Sequence, residues 1–140
     1  MSNGLLFAPV NAEGVVAALD LPGPAYRVLF ALRSRSEAGG RAEMGQNEIA
    51  ALLGLSRPSV TAALRELILA RLVKKQRNGV YRINAMLAGY ESFSDAQRAI
   101  EDMDLADRLD DPNFIARYRQ AVEDYREQLA RDRRKKLHVA

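Results

Sequence analysis

QNEIAALLGLSRPSVTAALRELILAR, Gln46 to Arg71, is the stretch on which the reading of the whole chain depends. Ile49, Ala50 and Leu53 share one face of a short helix, while Val60, Leu64, Leu67 and Ile68 form an i, i+4, i+7, i+8 stripe on a longer one. Between them, Gly54-Leu55-Ser56 supplies a turn that buries Leu55 and ends in a side-chain N-cap, Ser56. Arg57-Pro58-Ser59 opens the second helix, where a missing proline N–H costs nothing because first-turn amides have no helical partner. The pattern predicts two helices packed across a tight turn.

Immediately C-terminal, Leu72 to Gln76 and Val80 to Asn84 read as two short strands around Arg77-Asn78-Gly79, and Asn-Gly is the strongest short hairpin signal. A two-residue Asn78-Gly79 turn would set Lys74 opposite Ile83. Taking Arg77, Asn78 and Gly79 all as loop instead pairs Val73 with Ile83 and Lys74 with Arg82, with Gly79 in a left-handed bulge. The second register is preferred because it leaves Val73, Tyr81 and Ile83 on the inner face and Lys74, Arg77 and Arg82 on the outer face and tip.

Gln46-Asn47-Glu48-Ile49-Ala50, Leu53-Gly54-Leu55-Ser56-Arg57-Pro58-Ser59-Val60, Leu64-Arg65-Glu66-Leu67, Leu72-Val73-Lys74-Lys75 and Asn78-Gly79-Val80-Tyr81-Arg82-Ile83-Asn84 together resemble the winged helix-turn-helix. The segment is similar to the DNA-binding parts of MarR-like and CRP-like bacterial regulators, and to plasmid replication proteins of the RepL type. Two residues depart from the usual pattern. Gly45 stands where such domains commonly have a Ser or Thr N-cap, and Arg71 where they commonly have a glycine before the wing. The resemblance implies a mainly α fold with a small β-hairpin, a winged helix-turn-helix followed by C-terminal helices. It also implies a recognition helix that enters the major groove of duplex DNA. The 100° helical step turns Pro58, Ser59, Thr61, Ala62, Arg65 and Glu66 away from the apolar stripe. Ser59, Thr61 and Arg65 are the candidates for base edges, and Pro58 and Ala62 for thymine methyls. Arg57, Lys74, Lys75, Arg77 and Arg82, with Asn78 at the wing tip, are the candidates for backbone or minor-groove contact.

Charge supports the same location. The 140-residue chain carries +3 in all, but Arg41 to Asn84 holds +5, Glu91 to Leu129 holds −6, and the residues from Ala130 hold +4. A basic segment that coincides with the motif is the electrostatic footprint of phosphate contact. The composition, 48% hydrophobic with no cysteine, suits one ordinary core and a reducing, cytoplasmic setting, and leaves neither disulfides nor thiolate metal sites. No apolar run reaches membrane-spanning length. The only histidine, His138, is near the C-terminus, and no phosphate-cradling glycine loop occurs, so neither enzyme activity nor a cofactor or metal is expected.

Three parts are expected: an N-terminal arm (1–23), the winged domain (24–84) and a C-terminal helical extension (91–136). In the arm, Leu5-Leu6-Phe7 is too apolar for a free tail and should pack on the domain or a partner subunit. Asn11 to Leu19 should form a short helix with Val15, Val16 and Leu19 inward. Pro24 to Ser36 should be the backing helix, and Arg41 to Met44 a strand beside the wing. In the extension, Ser94 and Gln97 suggest a capping box for a helix from Asp95 to Leu109. Asp111-Pro112 should start the last helix. Glu101, Asp102, Asp104, Asp107, Asp110 and Asp111 read as a solvated acidic face. Ile115, Tyr118, Val122, Tyr125 and Leu129 recur at spacings of 3 and 4, a short heptad seam. That seam should bury against its twin in a homodimer, or fold back on the arm and the 95–109 helix. The expected function is sequence-specific binding of double-stranded DNA as a bacterial transcriptional regulator. The alternative is a RepL-type plasmid replication or maintenance protein that marks an origin and recruits a host protein.

Overall fold

The computed structural model describes residues 5–139, so Met1 to Gly4 of the expected arm lie outside the described residues. In chain order it has α1 (Glu13–Ala18), α2 (Gly23–Arg35), β1 (Arg41–Glu43), α3 (Gln46–Leu53), α4 (Arg57–Leu69), β2 (Val73–Arg77), β3 (Val80–Ile83), α5 (Phe93–Glu101), a 3-10 turn (Leu105–Asp107) and α6 (Phe114–Val139). Helix α2 buries Ala25, Val28, Leu29 and Leu32 and forms the floor on which α3 and α4 pack. The Arg27 guanidinium donates to the Leu53 carbonyl (2.7 Å), satisfying an end of α3 that has no helical partner. Gly54 caps α3, and the Ser56 hydroxyl accepts the Ser59 amide (3.2 Å) to start α4.

The apolar stripe of α4 differs from the expected one at a single position. Val60, Ala63, Leu64 and Leu67 are buried, whereas Ile68 is 41% exposed. The stripe is centred between Val60 and Ala63, which turns Ile68 to the edge of the contact with α2 and gives Ala63 its place.

The sheet is antiparallel in the order β1-β3-β2, with the expected β1 lying beside the wing. Val73 pairs with Ile83 and Lys74 with Arg82, as the facing of the side chains required. Arg77, however, is in β2 and not in the loop. A bulge between Lys75 and Arg77 shifts the ladder by one, so Arg77 faces Val80 across an Asn78-Gly79 tip, with Gly79 at φ +77°. The bulge reconciles a two-residue tip with the register that buries Val73, Tyr81 and Ile83.

The N-terminal arm joins the fold through its backbone. The Phe7 amide donates to the Tyr90 carbonyl (2.7 Å) and the Tyr90 amide to the Phe7 carbonyl (2.6 Å), while the side chains of Leu5 and Phe7 remain exposed. Val16 and Leu19 point inward, as expected, and Val15 is half-buried.

The C-terminal extension departs further from expectation. The cap of α5 is Ser92, which accepts the Asp95 amide (3.1 Å), and not Ser94. Helix α5 ends at Glu101 instead of continuing to Leu109. Arg108 reaches back to the Ile100 carbonyl (3.1 Å), the chain reverses, and Leu109 is buried with its amide on the Met86 sulfur (3.2 Å). Asp111 accepts the Asn113 amide (3.2 Å) in a local turn, so α6 begins at Phe114. One apolar core runs from Ala12 to Phe114 and includes the residues after the wing, Met86, Leu87, Ala88 and Tyr90.

Candidate nucleic-acid interface

The first turns of α4 form the most open part of the molecule's motif. Arg57, Pro58, Thr61 and Arg65 are exposed; Ser59 and Ala62 are half-buried. Ser59 is committed to the helix cap, its amide and hydroxyl both meeting the Ser56 hydroxyl (3.2 and 2.9 Å). Thr61 donates its hydroxyl to the Gln46 amide oxygen (2.8 Å), tying the second turn of α4 to the first residue of α3. Gln46 was not among the residues expected at the site. Its place beside Thr61 arises only from the crossing of two helices, and the sequence holds no local sign of it.

Arg65 is exposed but not solitary: its guanidinium lies 5.3 Å from the centroid of the Tyr125 ring on α6. Stacking of this kind uses the face of the guanidinium and leaves its in-plane N–H groups available. One position on, the Tyr118 hydroxyl donates to the Glu66 carboxylate (3.3 Å). Burial, followed by the charge and hydrogen bond of Glu66, pushes Tyr118 up to about 12, so it stays a neutral donor at physiological pH. The seam of α6 therefore folds back on its own chain, with Tyr118 and Tyr125 meeting α4, while Arg117 beside it donates to the Leu105 carbonyl (3.3 Å). Ile115, Tyr118, Val122 and Tyr125 are half-buried there, and Leu129, 38% exposed, is where the contact runs out. Leu69, apolar on the outward side of α4, is half-buried beside Phe114, Tyr118 and Ala121.

On the wing, Lys75, Arg77 and Asn78 are exposed and make no ion pair among the described residues. Lys74 and Arg82 are also exposed but have partners within the chain. Arg82 donates to the Gly39 carbonyl (3.2 Å), and the Lys74 ammonium sits 2.8 Å from an Asp107 oxygen.

Asp107 corrects the reading of the acidic run as a solvated face. It is 7% exposed, takes the Arg71 guanidinium on its other oxygen (2.7 Å), and gives its carbonyl to the Asn84 side-chain amide (2.8 Å). The same Asn84 nitrogen donates to the Arg71 carbonyl (2.9 Å). Burial alone would raise the Asp107 carboxyl, but the hydrogen bonds from Lys74 and Arg71, with their charges, outweigh it and hold it below the usual carboxylate range. Arg71 itself adopts φ +59°, the left-handed conformation that glycine takes up freely. An arginine is held there because its side chain, its carbonyl and its amide, the last on Ile68 (3.0 Å), are all engaged. These contacts fasten the end of α4, the base of the wing and the 3-10 turn together.

The geometry therefore offers two exposed surfaces from one rigid unit, a short polar helix face and a cationic hairpin tip. Among the described residues no group of His, Asp and Glu is arranged to hold a metal ion, and no helix is long and apolar enough to cross a membrane. Residues 19–80 match the model of the MarR family. Neither the comparison with curated proteins nor that with solved structures gives a match. The helices and hairpin described above form a winged helix-turn-helix, and the matched residues, which span α2 to the start of β3, are similar to the MarR family's.

Proposed function

We propose that this protein is a transcriptional regulator that reads duplex DNA with α4 and grips the flanking backbone with the wing. The observation that carries this reading is the exposed row Arg57, Pro58, Thr61 and Arg65 on the second helix of a helix-turn-helix similar to the MarR family's, in the one stretch where net charge reaches +5. Arg65 forks to a guanine, Thr61 meets a base edge, and Pro58 with Ala62 behind it offers apolar contact to thymine. Arg57, Lys75, Arg77 and Asn78 hold phosphates or the minor groove. Lys74 and Arg82 support the wing from within and contribute charge more than contact. The working unit is a homodimer on a two-fold site, with the parts of Val122, Tyr125 and Leu129 on the α6 seam that stay exposed as the contact between copies.

Sequencing the genomic and plasmid fragments that the purified protein retains near physiological salt tests this reading. Inverted half-sites upstream of transcription units are expected. Retention confined to the repeats of a plasmid origin would move the protein to the RepL-type class, and no sequence preference would overturn specific recognition. On a retained site, Arg65→Ala is expected to cost about 1 to 3 kcal/mol and to relax one base position. Tyr125→Ala should relax the same position more weakly while Tyr125→Phe preserves it, because the ring face and not the hydroxyl orients Arg65.

A further inference from the structure

From Arg126 to His138 every side chain of α6 is exposed, although the helix continues without a break to Val139. Among the described residues none covers this part. A helical segment of 14 residues that is mostly polar, with its two leucines, Leu129 and Leu137, themselves exposed, is marginal in water without a partner. Its chemistry says what kind of partner. Five cations, Arg131, Arg133, Arg134, Lys135 and Lys136, fall within six residues, interrupted only by Asp132. Among the described residues none of Arg133, Arg134, Lys135 and Lys136 makes an ion pair or a side-chain hydrogen bond, and Arg131 meets only Gln128 (2.9 Å).

A second copy of the same helix does not suit this segment. The apolar seam ends at Leu129, and the positions that would continue its 3, 4 spacing are Asp132 and Lys136. Twin helices in parallel would also bring two clusters of like charge together. A polyanion suits it well, and the fold sets the direction in which one would be met. The last contacts α6 makes are Tyr118 on Glu66 and Tyr125 on Arg65, both on the outward side of α4. The helix therefore leaves the domain from beside the proposed reading surface and extends about 20 Å beyond it.

We infer that residues 126–139 form a cationic arm that binds the phosphate backbone of the same duplex, beyond the segment read by α4. This rests on the proposed function and adds to it a third contact, separate from helix and wing. The arm carries no base information. It contributes affinity, and its loss lowers the salt dependence of binding without changing the preferred sequence.

The test uses the full chain and the variant R131Q/R133Q/R134Q/K135Q/K136Q, titrated against a 30-base-pair duplex carrying a retained site and against a scrambled duplex, over a range of sodium chloride concentrations. Each phosphate contact contributes about 0.9 to the slope of log affinity against log salt. The variant should lose about 3 units of slope on both duplexes and bind about tenfold or more weakly near physiological salt, with its thermal midpoint and its preference for the site unchanged. A chain ending at Ala130 should behave in the same way. A slope unchanged within one unit would overturn the arm while leaving recognition by α4 intact, provided Arg65→Ala still relaxes the site. Weaker binding at unchanged slope, with dimers dissociating in sedimentation, would assign the segment to self-association and overturn it as well. If the wild-type chain binds neither duplex, the proposed function fails, and the arm fails with it.

Discussion

The two ends of α4 are built in opposite ways. At its N-terminus the contacts are few and wet: Ser56 caps Ser59 three residues on, Thr61 meets Gln46 across the turn, and Arg57, Pro58 and Thr61 face solvent. At its C-terminus the chain enters the left-handed region at Arg71 and is fixed by Asp107 and Asn84, groups that arrive from beyond the wing and are themselves buried. An exposed helix end can approach a ligand closely, but it gains little stability from what surrounds it. A buried anchor at the other end supplies the rigidity that lets the open end be presented in one orientation.

The largest effect should come from removing the anchor. Asp107→Ala leaves the Arg71 guanidinium and the Lys74 ammonium without their shared acceptor. Both cations are about half exposed, so water recovers part of the loss, and the expected destabilisation is about 2 kcal/mol by denaturant unfolding. DNA affinity should fall as well, through a loosened wing. A stability change under about 0.5 kcal/mol would show that the anchor is ornamental and that the two ends do not differ.

The same carboxylate predicts a pH dependence with a defined sign. Its folded-state pKa lies below that of the unfolded chain, so its contribution is fully present above the unfolded value, about 3.9. It is lost as pH falls through the lowered folded value. Wild-type stability should therefore decline through the acid range more steeply than that of Asp107→Asn, which cannot bind the extra proton. Parallel profiles for the two proteins would mean that Asp107 is not the titrating anchor.

Arg71 separates backbone from side chain. Arg71→Ala and Arg71→Gly both lose the contact with Asp107, but only alanine retains the left-handed penalty, so glycine should be the more stable of the two by about 1 kcal/mol. Equal stability would place the strain elsewhere.

The contrast between the ends also explains what could be read in advance. The Ser56 cap, the pairing of Val73 with Ile83 and the left-handed Gly79 follow from residues within a few positions of each other, and all three were legible. Asp107 was not, because its partners are Arg71 and Lys74, 36 and 33 residues away, and nothing local distinguishes it from the exposed Asp104. Ser92 and Ser94 offer equivalent caps to a reader of sequence, each with a suitable residue three places on. Which one starts α5 is decided by packing. The period of α4 gave the apolar stripe to within one residue, and the neighbouring helices decided between Ala63 and Ile68. The α6 seam was visible as a stripe in need of cover, but α4 as the cover was not, since periodicity names a face and not what lies opposite it.

The smallest effect on stability, and the sharpest on function, belongs to Thr61→Val. Valine keeps the shape and removes the hydroxyl that meets Gln46 on an exposed surface, where a hydrogen bond exchanged with water is worth about 0.5 kcal/mol. Unfolding should therefore barely shift. Binding to a retained DNA site should weaken distinctly more than stability does, because the proposed base contact is lost and Gln46 is released from its position at the same time. If Thr61→Val instead destabilised the fold as much as Asp107→Ala, the open end of α4 would be a structural joint like the buried one, and the assignment of that face to DNA would lose its main support.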